Sequence, residues 1–348
     1  MNGRRVSRQK PQRATLSDVA RDAGVSVMTV SNFVRGKAVR LKTKKRVEEA
    51  VARLNYRPNV SARRLRLSEA HSVGIVIADD DPAFLNDPFI SRLVSGLSNY
   101  LSGLDYTLDV QGVMPERFDK ATILNKIGND ALGAILCGPQ TLRQAHLAKL
   151  QGLGQPVVLF QEVFESRAPN VAIIRQDDLS GGRQLGQHLL ERRVRSVVFV
   201  RPAVEWCALQ QREKGLRQVL GRADPRIEVT TLVSKSEGFE DVQQVVREHL
   251  EHHKPGAIVA GTDTMAVAAL KASESMGITV PRELMICGFN GFDAWRYTTP
   301  TLTTVVSAAY EMGRQAGELV IQKLRTGAFP RRNIVLPVRL QAGESTRF

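Results

Sequence analysis

The side chains of this 348-residue chain whose types and spacing could do chemistry fall into three groups. Asp79, Asp80 and Asp81 form an acidic run behind an apolar stretch, where a metal site can be pictured, yet no partner ligands can be located for it. His249, His252 and His253 share one helical stretch with Lys254 and several acids, which reads as a solvated face rather than a metal site. The third group is basic. Residues 1–70 hold 18 Lys and Arg against five acids (Asp18, Asp22, Glu48, Glu49 and Glu69), whereas residues 71–348 hold 31 basic and 30 acidic side chains. A basic end on a balanced body suits a polyanion, and nucleic acid most simply, because neutralising phosphates releases condensed counterions. The plain alternative is a basic tail that only aids solubility.

Enzyme chemistry finds no support among the other motifs. Gly152-Leu153-Gly154 lacks the third glycine of a dinucleotide loop, and neither a Gly-x-x-x-x-Gly-Lys-Ser/Thr loop nor a Gly-x-Ser-x-Gly elbow occurs. We therefore assign no catalytic residue, metal or cofactor. Cys137, Cys207 and Cys287 stand far apart without metal-ligand spacing and read as buried free thiols. The first ten residues lack a signal's apolar stretch, and no run approaches the ~18 apolar residues of a membrane span. These features predict a cytoplasmic protein.

The basic end carries the pattern of a folded reader. Leu16, Val19, Ala20 and Ala23 fall on one face of a short helix, with Thr15 and Asp18 at capping-box spacing. Gly24 supplies a turn, Val25 fills the angle, and Ser26 can cap a second helix whose Val30, Phe33 and Val34 point inward. Val27, Met28, Ser31 and Asn32 remain on its outer face. A third helix, 43–54, closes the core with Val47, Ala50, Val51 and Leu54, its first turn crowded with Lys42, Lys44, Lys45 and Arg46. Arg40 stands where a capping residue is wanted, so that helix is expected to start frayed. In a helix-turn-helix the second helix enters the major groove. A protein-docking bundle would share the helices but not the charge.

Thr15-Leu16-Ser17-Asp18-Val19-Ala20, Ala23-Gly24-Val25-Ser26 and Thr29-Val30-Ser31 resemble the headpiece of the LacI (lactose repressor) family. Leu54-Asn55-Tyr56-Arg57-Pro58-Asn59 and Ala62-Arg63-Arg64-Leu65 are similar to that family's hinge. The resemblance implies DNA contacts from Thr15, Ser26, Val27, Met28, Thr29, Ser31, Asn32, Lys44 and Tyr56. Within the hinge it implies contacts from Asn59, Ala62, Arg63 and Leu65, the last wedged into a base step of the minor groove. Asn32 and Arg35 depart from the commoner Arg and Asn, which alters the base favoured there. A hinge of eight or nine residues with three arginines is too short to hold as an isolated helix, so it should fold on DNA.

Beyond residue 72, β-rich runs alternate with amphipathic stretches. Strands are expected at 73–78, 106–110, 133–137, 156–160, 171–174, 196–200, 227–233, 257–260 and 284–287. Helices are expected between them, for example at 89–101, 180–191, 204–220, 239–252 and 264–276. Two successive open sheets fit a pair of lobes with a ligand cleft beyond the strands' carboxyl ends. Gly277-Ile278-Thr279-Val280-Pro281 and Pro300-Thr301-Leu302-Thr303-Thr304 extend the resemblance, which implies a body related to periplasmic sugar-binding proteins. Its three crossings between lobes would fall near Pro169, Leu302 and Pro330. By the same resemblance Asp87, Phe89, Trp206, Arg212, Thr262 and Asn290 would face the effector, Thr262 with Asp263 as a pair. Asn290 replaces a commoner aspartate, and its neutrality would admit an acidic sugar.

The expected fold class is an N-terminal all-α helix-turn-helix headpiece plus hinge helix, then an α/β two-lobed periplasmic-binding-protein-like effector domain with parallel sheets. The expected organisation is a basic arm (1–14), headpiece (15–57), hinge (58–71) and two-lobed body (72–348). Function follows as a sequence-specific transcription regulator, a repressor, acting as a homodimer on a near-palindromic double-stranded DNA operator. Its effector would be a small molecule, a sugar or sugar acid. The alternatives are a ligand-independent or a corepressor-dependent regulator of the same fold.

Overall fold

The computed structural model describes residues 14–34, 39–54, 56, 71–125, 129–164 and 166–347. The chain divides into two compact units, Met1–Ala70 and His71–Phe348. In the first, α1 (Leu16–Ala23), α2 (Val27–Val34) and α3 (Leu41–Arg53) enclose a core of Val19, Ala20, Ala23, Val30, Val47, Ala50 and Tyr56. Phe33 and Val51 pack partly against it; the side chain of Val34 is outside the described residues. The first turn of α1 is closed reciprocally: the Asp18 amide donates to Thr15 Oγ1 at 3.3 Å and the Thr15 amide to Asp18 Oδ2 at 2.9 Å. Gly24 ends the helix in the left-handed region (φ 59°), which glycine enters without steric cost. Arg40 provides no side-chain cap, yet α3 starts two residues ahead of the expected Thr43. The amides of Thr43 and Lys44 both reach the Arg40 carbonyl at 2.9 Å, so the first turn forms on backbone bonds alone. The hinge residues Asn59, Ala62, Arg63 and Leu65 lie outside the described residues, as do Arg35, Arg57 and Pro58.

The second unit is built on two parallel sheets. Strands β1 (Ser72–Ala78), β2 (Thr107–Val113), β3 (Ala131–Ile135), β4 (Val157–Phe160) and β5 (Val171–Gln176) lie in the first. With a late strand, β11 (Asn333–Leu336), they give the order β11-β5-β4-β3-β1-β2. The second sheet joins β6 (Ser196–Pro202), β7 (Glu228–Ser234), β8 (Ala257–Ala260) and β9 (Met285–Cys287) in the order β7-β6-β8-β9. Helices α4 (Pro88–Ser102), α5 (Gln140–Gly152) and α10 (Ala309–Thr326) accompany the first sheet. Helices α6 (Asp178–Glu191), α7 (Cys207–Ala223), α8 (Phe239–His252) and α9 (Asp263–Ser275) accompany the second. Every residue of β1 is buried, as in a strand covered on both faces. All nine anticipated strands occur within a few residues of their expected limits. Helix α5 falls between two strands, as the alternation implies, though its limits were not set; α10, β11 and the antiparallel pair β10 (Thr304–Val306) with β12 (Arg339–Gln341) were not anticipated.

The three lobe crossings differ from expectation. Pro169 precedes β5, which still belongs to the first sheet, so the chain first crosses after Gln176. Leu302 is buried in a core cluster of the second lobe, and the return to the first lobe comes between β10 and α10. Pro330 precedes β11, which pairs with β5 of the first sheet; the last crossing follows Leu336 and brings Val338 into the second lobe's core. Pro169 and Pro330 each mark the loop before a strand, whereas the sheet that the strand joins decides the crossing. Among the described residues no helix is long and apolar enough to cross a membrane.

Candidate functional site

On the headpiece, the turn between α1 and α2 presents α2's outer face. The Thr29 amide donates to Ser26 Oγ at 3.1 Å, and the two hydroxyls lie 2.8 Å apart, so Ser26 sets the start of α2. Met28 is 66% exposed and Val27 43%, apolar side chains left open on the outer face of α2. Ser31 and Asn32 follow on α2, half-buried. From α3, Arg46 donates to the Gly24 carbonyl at 3.0 Å and Arg53 pairs with Asp22 at 2.8 Å, which fixes the helices around the turn. Lys42, Lys44 and Lys45 are exposed, and Lys44 approaches Glu48 at 3.9 Å. Tyr56, expected to face DNA, packs instead into the headpiece core at 8% exposure, and burial raises its hydroxyl pKa.

In the body, the loops after β1, β3, β6, β7, β8 and β9 enclose a cavity of about 840 Å³ between the lobes. An inner pocket beside it brings together all six side chains singled out from the sequence: Asp87, Phe89, Trp206, Arg212, Thr262 and Asn290. Each is held by local structure. Asp87 caps α4 by accepting from the Phe89 amide at 2.8 Å, with Pro88 in the first turn. Thr262 caps α9 through the Met265 amide. Asn290 adopts φ 112°, and its backbone amide donates to the Val305 carbonyl at 2.9 Å. Trp206 stands at the entry to α7, half-buried against the first lobe's core.

Arg212 organises the inner pocket. Its Nε donates to Asp178 at 2.8 Å, Nη1 to the Gly261 carbonyl at 2.6 Å and Nη2 to Asn290 Oδ1 at 3.3 Å. Its guanidinium carbon lies 3.8 Å from the centroid of the Phe289 ring. Asp263 braces the loop after β9 by accepting from Thr304 Oγ1 at 2.6 Å and the Gly291 amide at 2.7 Å. Burial outweighs those bonds and pushes its carboxyl up to about 6. The lobes touch across the mouth, where the Gly138 amide donates to the Glu205 carbonyl at 2.9 Å and Arg92 pairs with Asp293 at 2.8 Å.

The same cleft is lined by Asp79, Asp80, Asp81, Glu116, Glu205 and Glu237. Burial, reinforced by neighbouring carboxylates, raises Asp79 to about 6 and Glu237 to about 8. This wall runs against the expectation that a neutral Asn290 admits an acidic ligand, since the acids around it would repel a carboxylate. Sequence reasoning had placed the Asp79–Asp81 run only as a dismissed metal candidate, and it missed Asp178 and Glu237. Among the described residues no group of three or more His, Cys, Asp or Glu is placed to hold a metal ion. His249 and His253 stack on each other, with centroids 4.4 Å apart. All three cysteines are buried and free.

A basic three-helix reader followed by two parallel-sheet lobes around a polar cleft defines a ligand-responsive DNA-binding protein. Residues 15–59 match the model for bacterial regulatory proteins of the lacI family, and residues 187–346 match a periplasmic binding protein-like domain. The chain is a transcription regulator whose residues 15–59 form a lacI-family DNA-binding region. It is 27% identical over 337 residues to catabolite control protein A of Priestia megaterium, covering 96% of this chain and 99% of that one. It is 25% identical over 335 residues to the ribose operon repressor of Halalkalibacterium halodurans, covering 96% and 97%. Its fold matches that of the lac repressor dimer bound to operator and the anti-inducer ONPF, with a TM-score of 0.79 at 22% identity, over 96% of this chain and 99% of that one.

Proposed function

We propose that this regulator is a cytoplasmic repressor that binds a near-palindromic operator as a homodimer and responds to a small polar effector held between its lobes. Val27, Met28 and Asn32 read base edges in the major groove. Thr15, Ser26, Thr29, Ser31 and Lys44 hold the phosphates, with Lys42 and Lys45 adding charge beside them. Tyr56 acts through headpiece packing. In the hinge, Asn59, Ala62, Arg63 and Leu65 add minor-groove contacts when DNA is bound.

The observation that carries the effector half is the convergence of Asp87, Phe89, Trp206, Arg212, Thr262 and Asn290, from both lobes, on one inner pocket. A ligand there touches both lobes and so binds one lobe arrangement better than another, the condition for regulation. By linkage, an effector that favours the arrangement with weaker operator affinity releases DNA, and operator binding lowers effector affinity by the same factor. A relative named for a ribose operon supports a sugar-like ligand.

The test selects an operator from random duplexes with the full chain. Fluorescence anisotropy then follows binding of that operator while candidate sugars are added. A symmetric selected site and release by a ligand that fails to act on Trp206→Ala support the reading. Selection of no preferred sequence removes the reader, and operator affinity indifferent to every ligand tried removes the effector.

A further inference from the structure

Four acids converge on the cavity from opposite sides. Asp79 and Asp81 follow β1 and Asp87 opens α4, all on the first lobe; Glu237 follows β7 on the second. Each is close enough for Glu237 to feel its charge. Asp81 and Asp87 spend one oxygen each on backbone amides, of Ala83 and Phe89, and Asp79 on that of Asp81. Among the described residues none of the four makes an ion pair with Lys or Arg within 4.0 Å. Two cations line the cavity and its inner pocket, Lys235 and Arg212, and Arg212 is already bonded to Asp178, Gly261 and Asn290. In the adjoining groove, Arg201 and Arg217 both face Glu213.

Carboxyl groups from both lobes face this cleft, and their mutual approach is eased either by a proton, as the raised Asp79 and Glu237 indicate, or by a cation. Aromatic rings share the space: Phe84, Trp206 and Phe292 line it, and their faces attract a cation that has shed water. Among the described residues no group of three or more acids is placed to hold a bare metal ion, which favours a charge carried on a larger frame.

Building on the effector reading above, we infer that the cleft recognises an organic ammonium ion, a protonated amine carried on a small polar molecule. Its ammonium group faces Asp79 and Asp87 on one lobe and Glu237 on the other, and its body lies against Trp206, so binding joins the two lobes through a shared counter-charge. An amino sugar and a short aliphatic polyamine both carry this chemistry. The raised carboxyls of Asp79 and Glu237 fall back when the ammonium arrives, so binding releases protons to the buffer.

The experiment is calorimetric titration of the full chain with glucosamine, glucose, glucuronic acid and spermidine, in buffers of different ionisation enthalpy. We expect an amine to bind at least ~tenfold tighter than glucose, with net proton release. The preference should shrink to within about threefold in Glu237→Gln, whose folding is checked by circular dichroism. Glucosamine ahead of spermidine identifies an amino sugar as the source, and the reverse order a polyamine. Glucose or glucuronic acid binding as tightly as the amines overturns the inference and leaves the effector reading standing. Failure of both amines to bind overturns it as well. The effector reading is then judged by the neutral and acidic ligands in the operator assay, so the two fail separately.

Discussion

The guanidinium of Arg212 donates to the carboxylate of Asp178 at 2.8 Å, and each side chain is only 5% exposed. Arg212 is thus a structural residue of the second lobe as well as a wall of the inner pocket. Replacing it with leucine strands a buried carboxylate, and unfolding free energy should drop by about 3–5 kcal/mol. Urea denaturation of the full chain reads this. A loss within ~0.5 kcal/mol would mean that water screens the pair. Loss of effector response in Arg212→Leu is consequently no proof of ligand contact; Trp206→Ala makes the cleaner test.

Thr15 and Asp18 close the first turn of α1 from both sides, and those bonds also lower the Asp18 pKa. Thr15→Ala should destabilise the helix start by about 1 kcal/mol. Amide hydrogen exchange over 16–23 is the local readout, because the headpiece and the body are separate compact units. Faster exchange there with unchanged exchange in β1 is expected. Unchanged exchange in α1 would show that core packing alone holds it.

The headpiece should separate the two kinds of DNA contact. Met28→Ala removes an exposed apolar side chain on α2 and should change which base is preferred at one operator position, with the salt dependence kept. Lys44→Ala should weaken binding to all sequences alike and reduce the slope of log affinity against log salt by about 1. Binding measurements across a salt series on selected and scrambled duplexes distinguish them. Identical behaviour of the two variants would remove the assigned division of labour.

Glu237 sets a pH dependence whose sign is fixed by its raised pKa. Its ordinary value of 4.5 rises to about 8 in the fold, chiefly through burial, then through Asp87, Asp79 and Asp81, with Arg212 opposing. The folded protein therefore holds a proton that the unfolded chain has lost. This contribution to stability is present in full below pH 4.5 and disappears as pH rises through about 8. Glu237→Gln should melt higher than the parent above about pH 8, by on the order of 2 kcal/mol once solvent relaxation is allowed for, and the gap should narrow toward pH 5. Equal melting shifts at both ends would exclude titration of this carboxyl.

Legibility in the sequence followed the range of the interactions. Headpiece turns depend on neighbours three or four residues apart, so Thr15 with Asp18, Gly24, and Ser26 with Thr29 could be read directly. Strands of β-branched residues were equally plain. Sheet membership was not: β11 pairs with β5 across most of the second lobe, and no local pattern near Pro330 announces it. The six pocket residues were found through family motifs, each fixed by a neighbouring strand or cap. Asp79 and Glu237 carry no such motif and come from loops on different lobes, so their meeting is visible only in three dimensions.

The same lesson applies to glycines inside helices, where the sequence shows only a missing side chain. A Cβ on Gly313 of α10 would collide with the Leu93 carbonyl of α4, and one on Gly96 of α4 with the Tyr310 carbonyl of α10. The two helices meet backbone to backbone, and a carbonyl cannot rotate away as a flexible side chain can. Gly313→Ala should therefore cost about 1–3 kcal/mol despite alanine's better helix propensity. Gly221 in α7 provides the control, since a Cβ there meets nothing within 4 Å. Gly221→Ala should stabilise by up to about 1 kcal/mol. Opposite signs in urea denaturation are the expected result. Stabilisation by both substitutions would mean that α4 and α10 can move apart at little cost, and that their close contact does not fix the first lobe.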